Sequence, residues 1–383
     1  MKEAADCAAR PWTQADRRNA FISRMEQAGM DFLVIYFNGI HTFLTSNFVH
    51  LLTGFKSLGD SLYVLGSDGS DELYVSPEWD HERARNTGRV ACVRAAEHVL
   101  EAFLERWGPR LSRSGERVGF IGSGDMPVSG FHRLMELMGG SLREADATFT
   151  DLAAIKTAEE IELARKATWI AERGFEKMLE VARPGMYDYE LAGELVSYMK
   201  SLGADDNFLL MSASRHNQAV RPPGKRRLER GDVILAEISP SCQGQFTQIC
   251  RTIMLGDDHS RLFHEKYELL IQAMESGFRA AKPGARMSDV FHAINRPLLE
   301  AGYESYCAPP YMRVRGHGLG LGSILPGDIS AQNDLVLEEG MLFVIHPNQY
   351  IPETGYMLCG EPALVTANGA VRLSSRAPAL SVV

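Results

Sequence analysis

No apolar run in this 383-residue chain approaches the roughly 18 residues needed to cross a bilayer, so a membrane span is not expected. The opening stretch MKEAADCAARPWTQADRR lacks the apolar core of a secretory leader. The six cysteines, Cys7, Cys92, Cys242, Cys250, Cys307 and Cys359, show no CxxC spacing. That pattern predicts reduced thiols in a cytoplasmic compartment, most of them small core fillers. Positive charge is in deficit, with 40 Lys and Arg against 49 Asp and Glu and a formal charge of -9. Nucleic acid and anionic membrane are therefore not expected partners. Internal repeats and low-complexity tracts are also missing.

What is present is ordinary globular material, 45% apolar and 23% charged, long enough for two domains. Residues 15–29 read as an amphipathic helix stopped by Gly29. DFLVIY (31–36) reads as a strand, SLYVLGSDGSDELYVSP (61–77) as a hairpin, 95–108 as a helix and RVGFIG (117–122) as a strand. The first third is mixed α/β. Near residue 150 the character changes: a short polar segment leads to a helix over 158–182, with Thr157 as N-cap and Glu160 as its capping-box partner. Helices at 187–202, 260–281 and 287–302 and strands near 207–212, 231–239 and 246–254 follow. The stretch 311–372 is strand-rich with glycine turns.

Eight stretches of the second part carry more information. They are AAIKTAEEIELARKA, RPGMYDYELA, LERGDVILAEIS, CRTIML, AAKPGARMSDV, GHGLGL (316–321), LEEGMLFVIHP (337–347) and EPALVTANGA (361–370). In this order and spacing they resemble the creatinase/prolidase/aminopeptidase P family, and HLLTGFKSLGDSLYVL (50–65) resembles its N-terminal domain. The resemblance implies an α/β (α+β) architecture: a mixed-sheet creatinase-like N-terminal domain over 1–150 and a pita-bread catalytic domain over 151–383. It also implies a homodimer with shared active sites, with Phe37–His50 as the candidate contribution to the partner.

Peptidases of this family carry five metal ligands, Asp, Asp, His, Glu and Glu. Carried over one at a time, the positions hold Glu237, Gln248, His317, His346 and Gly360, with Glu361 beside the last. One position is identical and one more is acidic. The amide of Gln248 cannot bridge two cations as a carboxylate does. The family's accessory histidines are replaced by Pro222 and Ile324, although His216 lies six residues before the former. The resemblance thus predicts a member without the dinuclear centre and without a cofactor.

On that basis the expected activity is metal-independent, creatinase-like hydrolysis of a small polar substrate at an amide, amidine or urea C–N bond that is not a peptide bond. His317 and His346 would serve as general base and acid, and Glu237 and Glu361 would orient an imidazole or hold a substrate N–H. Gln248 and His216 would bind substrate. Among Arg215, Arg221, Arg313 and Arg315, one would anchor a carboxylate. Arg313 and Arg315, if on a strand, would share a face. Two alternatives remain open: a single metal held by Glu237, His317 and His346, or a non-catalytic peptide-binding domain.

Overall fold

A computed structural model describes residues 12–111, 115–138, 142–256 and 260–383; Cys7 lies outside them. The described chain divides into two compact units, Trp12–Ala153 and Ala154–Val383. Both are mixed α/β. Among the described residues no helix is long and apolar enough to cross a membrane.

In the first unit, Thr13 caps the helix Gln14–Ala28 and Gly29 ends it with φ 65°, a left-handed conformation that glycine adopts without strain. The six-stranded sheet has the order Val93–Ala95, Asp71–Val75, Ser61–Gly66, Phe32–Phe37, Val118–Ile121, Leu142–Glu144. The central strand Phe32–Phe37 is buried at all six positions, as a strand covered on both faces requires. Phe32, Val34 and Tyr36 pack against Phe103 and Leu104 of the helix Val99–Leu111 and against Leu134 and Met138 of the helix Val128–Met138. The hairpin of 61–77 forms as read, with Leu65 opposite Asp71. The segment before Thr157 differs from its reading: Asp146–Ala154 is a helix. Its threonines hide an apolar set, Phe149, Ala153 and Ala154, all buried.

The second unit holds two sheets. The first runs Ser381–Val382, Ile249–Met254, Val233–Cys242, Asp206–Ser214, with Gln245–Phe246 paired to the third of these strands. The second runs Gly316–Gly318, Leu342–Ile345, Glu361–Thr366, Gly369–Arg372. An isolated antiparallel bridge between Cys250 and Gly360 ties the first sheet to the second. A hairpin of Gln349–Ile351 and Gly355–Met357 adjoins them.

The helix Ala158–Val181 places Ala167, Ile170, Ala171, Phe175 and Met178 on one stripe, against Ala236, Ile238, Ile249 and Ile253 of the first sheet. It lies close to the helix Asp188–Ser201 because Gly174 has no side chain; a Cβ there would stand 2.8 Å from the Met199 sulfur. The helices Ser260–Ala280 and Met287–Glu300 complete the unit.

The start of the Ala158–Val181 helix is a reciprocal pair. The Glu160 N–H donates to Thr157 Oγ1 at 3.3 Å, and the Thr157 N–H donates to Glu160 Oε2 at 2.9 Å. Thr157→Ala is expected to lower unfolding free energy by about 1 kcal/mol, whereas Thr157→Ser stays near wild type. Chemical denaturation of the two variants checks this, and equal losses would contradict the capping role.

Candidate active site

The strand Val233–Cys242 is buried except at Glu237, which is partly accessible between buried Ala236 and Ile238. An acid in such a strand needs hydrogen bonds or a counter-charge. Asn348 Nδ2 donates to Glu237 Oε1 at 3.0 Å, and Gln248 Nε2 approaches Oε2 at 3.5 Å, the outer limit of a hydrogen bond. Among the described residues Glu237 has no cationic partner. Desolvation pushes its pKa up to about 7, against the opposing pull of the Asn348 amide.

Asn348 is 4% exposed. Its Oδ1 accepts from the Cys359 N–H at 3.1 Å, which fixes its Nδ2 toward Glu237. Arg315, fully buried, donates to the Asn348 carbonyl at 3.0 Å, to Gln349 Oε1 at 2.9 Å and twice to Asn295 Oδ1. All these acceptors are neutral, and burial lowers the Arg315 pKa to about 10.

His317 lies on the strand Gly316–Gly318 of the second sheet, and His346 directly follows its strand Leu342–Ile345. Their ring centroids are 5.2 Å apart at 62°. His317 Nδ1 lies 2.9 Å from the Gly318 carbonyl. A carbonyl only accepts, so Nδ1 carries the hydrogen there. Burial lowers the His317 pKa. It lowers that of His346 to about 3, with the neighbouring His317 adding to the effect. Both rings are neutral imidazoles near pH 7. His346 is 7% exposed and its Nδ1 has no partner among the described residues. Gln248 is 1% exposed and its Oε1 is likewise unpartnered.

The neighbours Gly360 and Glu361 face different surroundings. A Cβ on Gly360 would stand 2.6 Å from His346 Cβ and 2.9 Å from Cys250 Sγ. Glu361 instead pairs with buried Arg251 at 2.8 Å and accepts from the Ser374 hydroxyl. Both charges are buried, so the pair ties the two sheets together.

The basic loop residues are dispersed. Arg215, Arg221 and Arg313 are exposed, and Arg215 donates to the Arg230 carbonyl at 3.2 Å. His216 is exposed, with Nε2 3.0 Å from the Pro352 carbonyl. Arg313 and Arg315 do not share a face, contrary to the strand reading, because the strand begins only at Gly316. Arg315 is too deeply buried to meet a carboxylate from solvent. Sequence reasoning passed over Asn348 and Tyr356; the latter is partly buried, and the Glu237 charge adds to the burial that raises its pKa. The one available signal was a polar pair, Asn348-Gln349, just beyond the apolar LFVI run. Among the described residues no group of three or more His, Cys, Asp or Glu side chains lies close enough to hold a metal ion.

Comparison with known proteins follows the fold. Residues 162–375 match the model of metallopeptidase family M24. The chain is 29% identical over 331 residues to the Xaa-Pro dipeptidase of Pyrococcus furiosus, covering 85% of this chain and 90% of that protein. It is 27% identical over 332 residues to that of Pyrococcus horikoshii, with the same coverage. Among solved structures, the prolidase of Pyrococcus furiosus superposes with a TM-score of 0.77 at 26% identity, covering 93% of this chain and 99% of that one. The prolidase of Pyrococcus horikoshii OT3 gives 0.81 at 24%, covering 94% and 99%. These relatives overturn the expected creatinase-like, metal-independent hydrolysis of a non-peptide C–N bond, because the enzymes named are dipeptidases of a metallopeptidase family. The match extends over more than half of the sequence, and the chain belongs to metallopeptidase family M24.

Proposed function

We propose that this chain is a dipeptidase-type member of its family, taking an Xaa-Pro dipeptide into the pocket around Glu237, His317, His346 and Asn348 and hydrolysing its peptide bond. The relatives named Xaa-Pro dipeptidase, aligned over 85% of the chain, support the substrate class. The observation that carries the chemistry is Glu237, a deep carboxyl without a counter-charge and with a pKa of about 7. A group poised there exchanges a proton efficiently near neutrality. Glu237 takes a proton from the water that adds to the peptide carbonyl and returns it to the departing nitrogen as the C–N bond breaks. The neutral imidazoles of His317 and His346 line the site without adding positive charge that would trap the carboxylate.

The same reading holds that the family's dinuclear metal centre is not built here. An ion pair needs several hard carboxylate oxygens. Gln248 brings a neutral amide, His346 an imidazole, and a side chain at Gly360 would collide with His346. Glu361 is engaged by Arg251. The residues present do not fit two ions. We take residues 151–383 as the catalytic domain, residues 1–150 as the N-terminal domain, and the assembly as a homodimer. Ile40 and Leu44, 62% and 60% exposed, lie in the Phe37–His50 stretch expected to meet the partner. The five described cysteines are free, as a cytoplasmic setting would leave them.

Release of proline from Ala-Pro by the purified protein tests this reading, assayed as isolated and with added Mn²⁺. Hydrolysis is expected, with kcat reduced roughly 100-fold or more in Glu237→Gln. No turnover of any Xaa-Pro dipeptide under either condition would overturn the peptidase reading. Two tightly bound ions per chain, by elemental analysis, would overturn the reading of the donor set.

Stability provides an independent check. The folded pKa of Glu237 lies above the ordinary 4.5, so between about pH 4.5 and 7 the folded state binds the extra proton and its stability falls as pH rises. The full fall is on the order of 3 kcal/mol. Glu237→Gln removes it. The variant is expected to gain stability over wild type at pH 8 and to differ much less at pH 4.5, and an equal difference at both pH values would contradict the assignment.

A further inference from the structure

Two tyrosines and a histidine gather around Tyr350 of the hairpin. Tyr350 stacks on Tyr311 with centroids 5.2 Å apart at 22°. It also lies 5.6 Å from Tyr306 and 5.8 Å, edge-on, from His216. Tyr306 and Tyr311 are themselves 4.9 Å apart. The cluster is not core: Tyr311 is 41% exposed, His216 is exposed, and Tyr306 and Tyr350 are partly so. A contiguous exposed aromatic surface of this kind marks a place where something binds.

Two links join it to the pocket. Tyr350 stands directly opposite Tyr356 across the hairpin, so the two side chains share a face, and Tyr356 is near enough to Glu237 to feel its charge. Beneath the rings, Gln349 Nε2 donates to the Tyr306 carbonyl at 2.8 Å, while its Oε1 accepts from Arg315 at 2.9 Å. Arg315 is the same side chain that holds Asn348, and through it Glu237. The aromatic cluster and the reactive acid are thus fixed to one support.

The chemistry of the occupant follows from the surroundings. Arg215 adjoins His216, and Arg313 lies two residues beyond Tyr311; both are exposed. Charge of both signs lies nearby, with exposed Glu304 two residues before Tyr306 and exposed Glu353 three beyond Tyr350, so the ring faces rather than a net charge select the guest. A neutral aromatic ring gains apolar burial and stacking there. The names of the relatives fix proline as the second residue of their substrates and leave the first open. Resting on the dipeptide reading above, we infer that this cluster is the specificity surface for the first residue, favouring an aromatic side chain laid against Tyr311 and Tyr350.

Calorimetric binding of Phe-Pro and Gly-Pro to the Glu237→Gln protein, in which turnover is suppressed and the rings are intact, tests this. Phe-Pro is expected to bind roughly 10- to 100-fold more tightly. The preference is expected to collapse in a further Tyr311→Ala change and to survive Tyr311→Phe, which keeps the ring. Tyr311 is exposed, so neither change should unfold the chain. Equal affinity for the two dipeptides, or a preference that persists in Tyr311→Ala, overturns the inference while leaving the dipeptide reading in place. Binding of neither dipeptide sinks the dipeptide reading, and the inference with it.

Discussion

The Asn348 amide holds the centre of the second unit together. One end of it accepts from the Cys359 N–H and the other donates to Glu237, while the backbone carbonyl of the same residue accepts from Arg315. A buried acid without a positive neighbour is costly to ionise, and a single neutral hydrogen bond lowers that cost only in part. The result is a carboxyl poised near neutrality. Arg315 shows the complementary constraint: a fully buried cation satisfied only by neutral oxygens. The two charges are linked through an asparagine that stands between them, so neither neutralises the other directly.

Two sheets meet at the site. Glu237 lies on the first and Gln248 just before its strand Ile249–Met254, His317 lies on the second and His346 just after its strand Leu342–Ile345, and the Cys250–Gly360 bridge with the Arg251–Glu361 pair joins the two. Breaking a buried pair by removing one partner leaves an uncompensated charge and is strongly destabilising. Glu361 thus maintains the seam from outside the pocket. Gly360 has no side chain to meet the Cβ of His346 and the side chain of Cys250. The geometry around Glu237 is therefore supported by groups that do not touch it.

Much of the fold was legible because its signals are local. The Thr157/Glu160 cap, the Gly29 stop and the turn between 66 and 71 each depend on a few adjacent residues. The helix Asp146–Ala154 was hidden by threonines that mask its apolar face. Glu237, His317, His346 and Gln248 could be picked out because the order of motifs located them. Their environments could not, since Arg315 reaches Asn348 across 33 residues of sequence and Asn348 reaches Glu237 across 111. Glu361 shows how sharp the limit is. It and Gly360 are adjacent on one strand, and the alternation of faces decides which meets His346 and which meets Arg251. The choice of reaction failed for another reason: loss of ligand types says which ions a site cannot hold, but it does not name the bond that is broken.

The account turns on the protonation of one side chain. Titration of the Glu237 carboxyl by carbon-13 NMR in the purified protein, with Glu237→Gln to assign the signal, measures it directly. A midpoint near pH 7 is predicted, as burial without a counter-charge requires. A midpoint below about 4 would mean that a cation, bound or built in, faces this carboxylate, and would contradict the account.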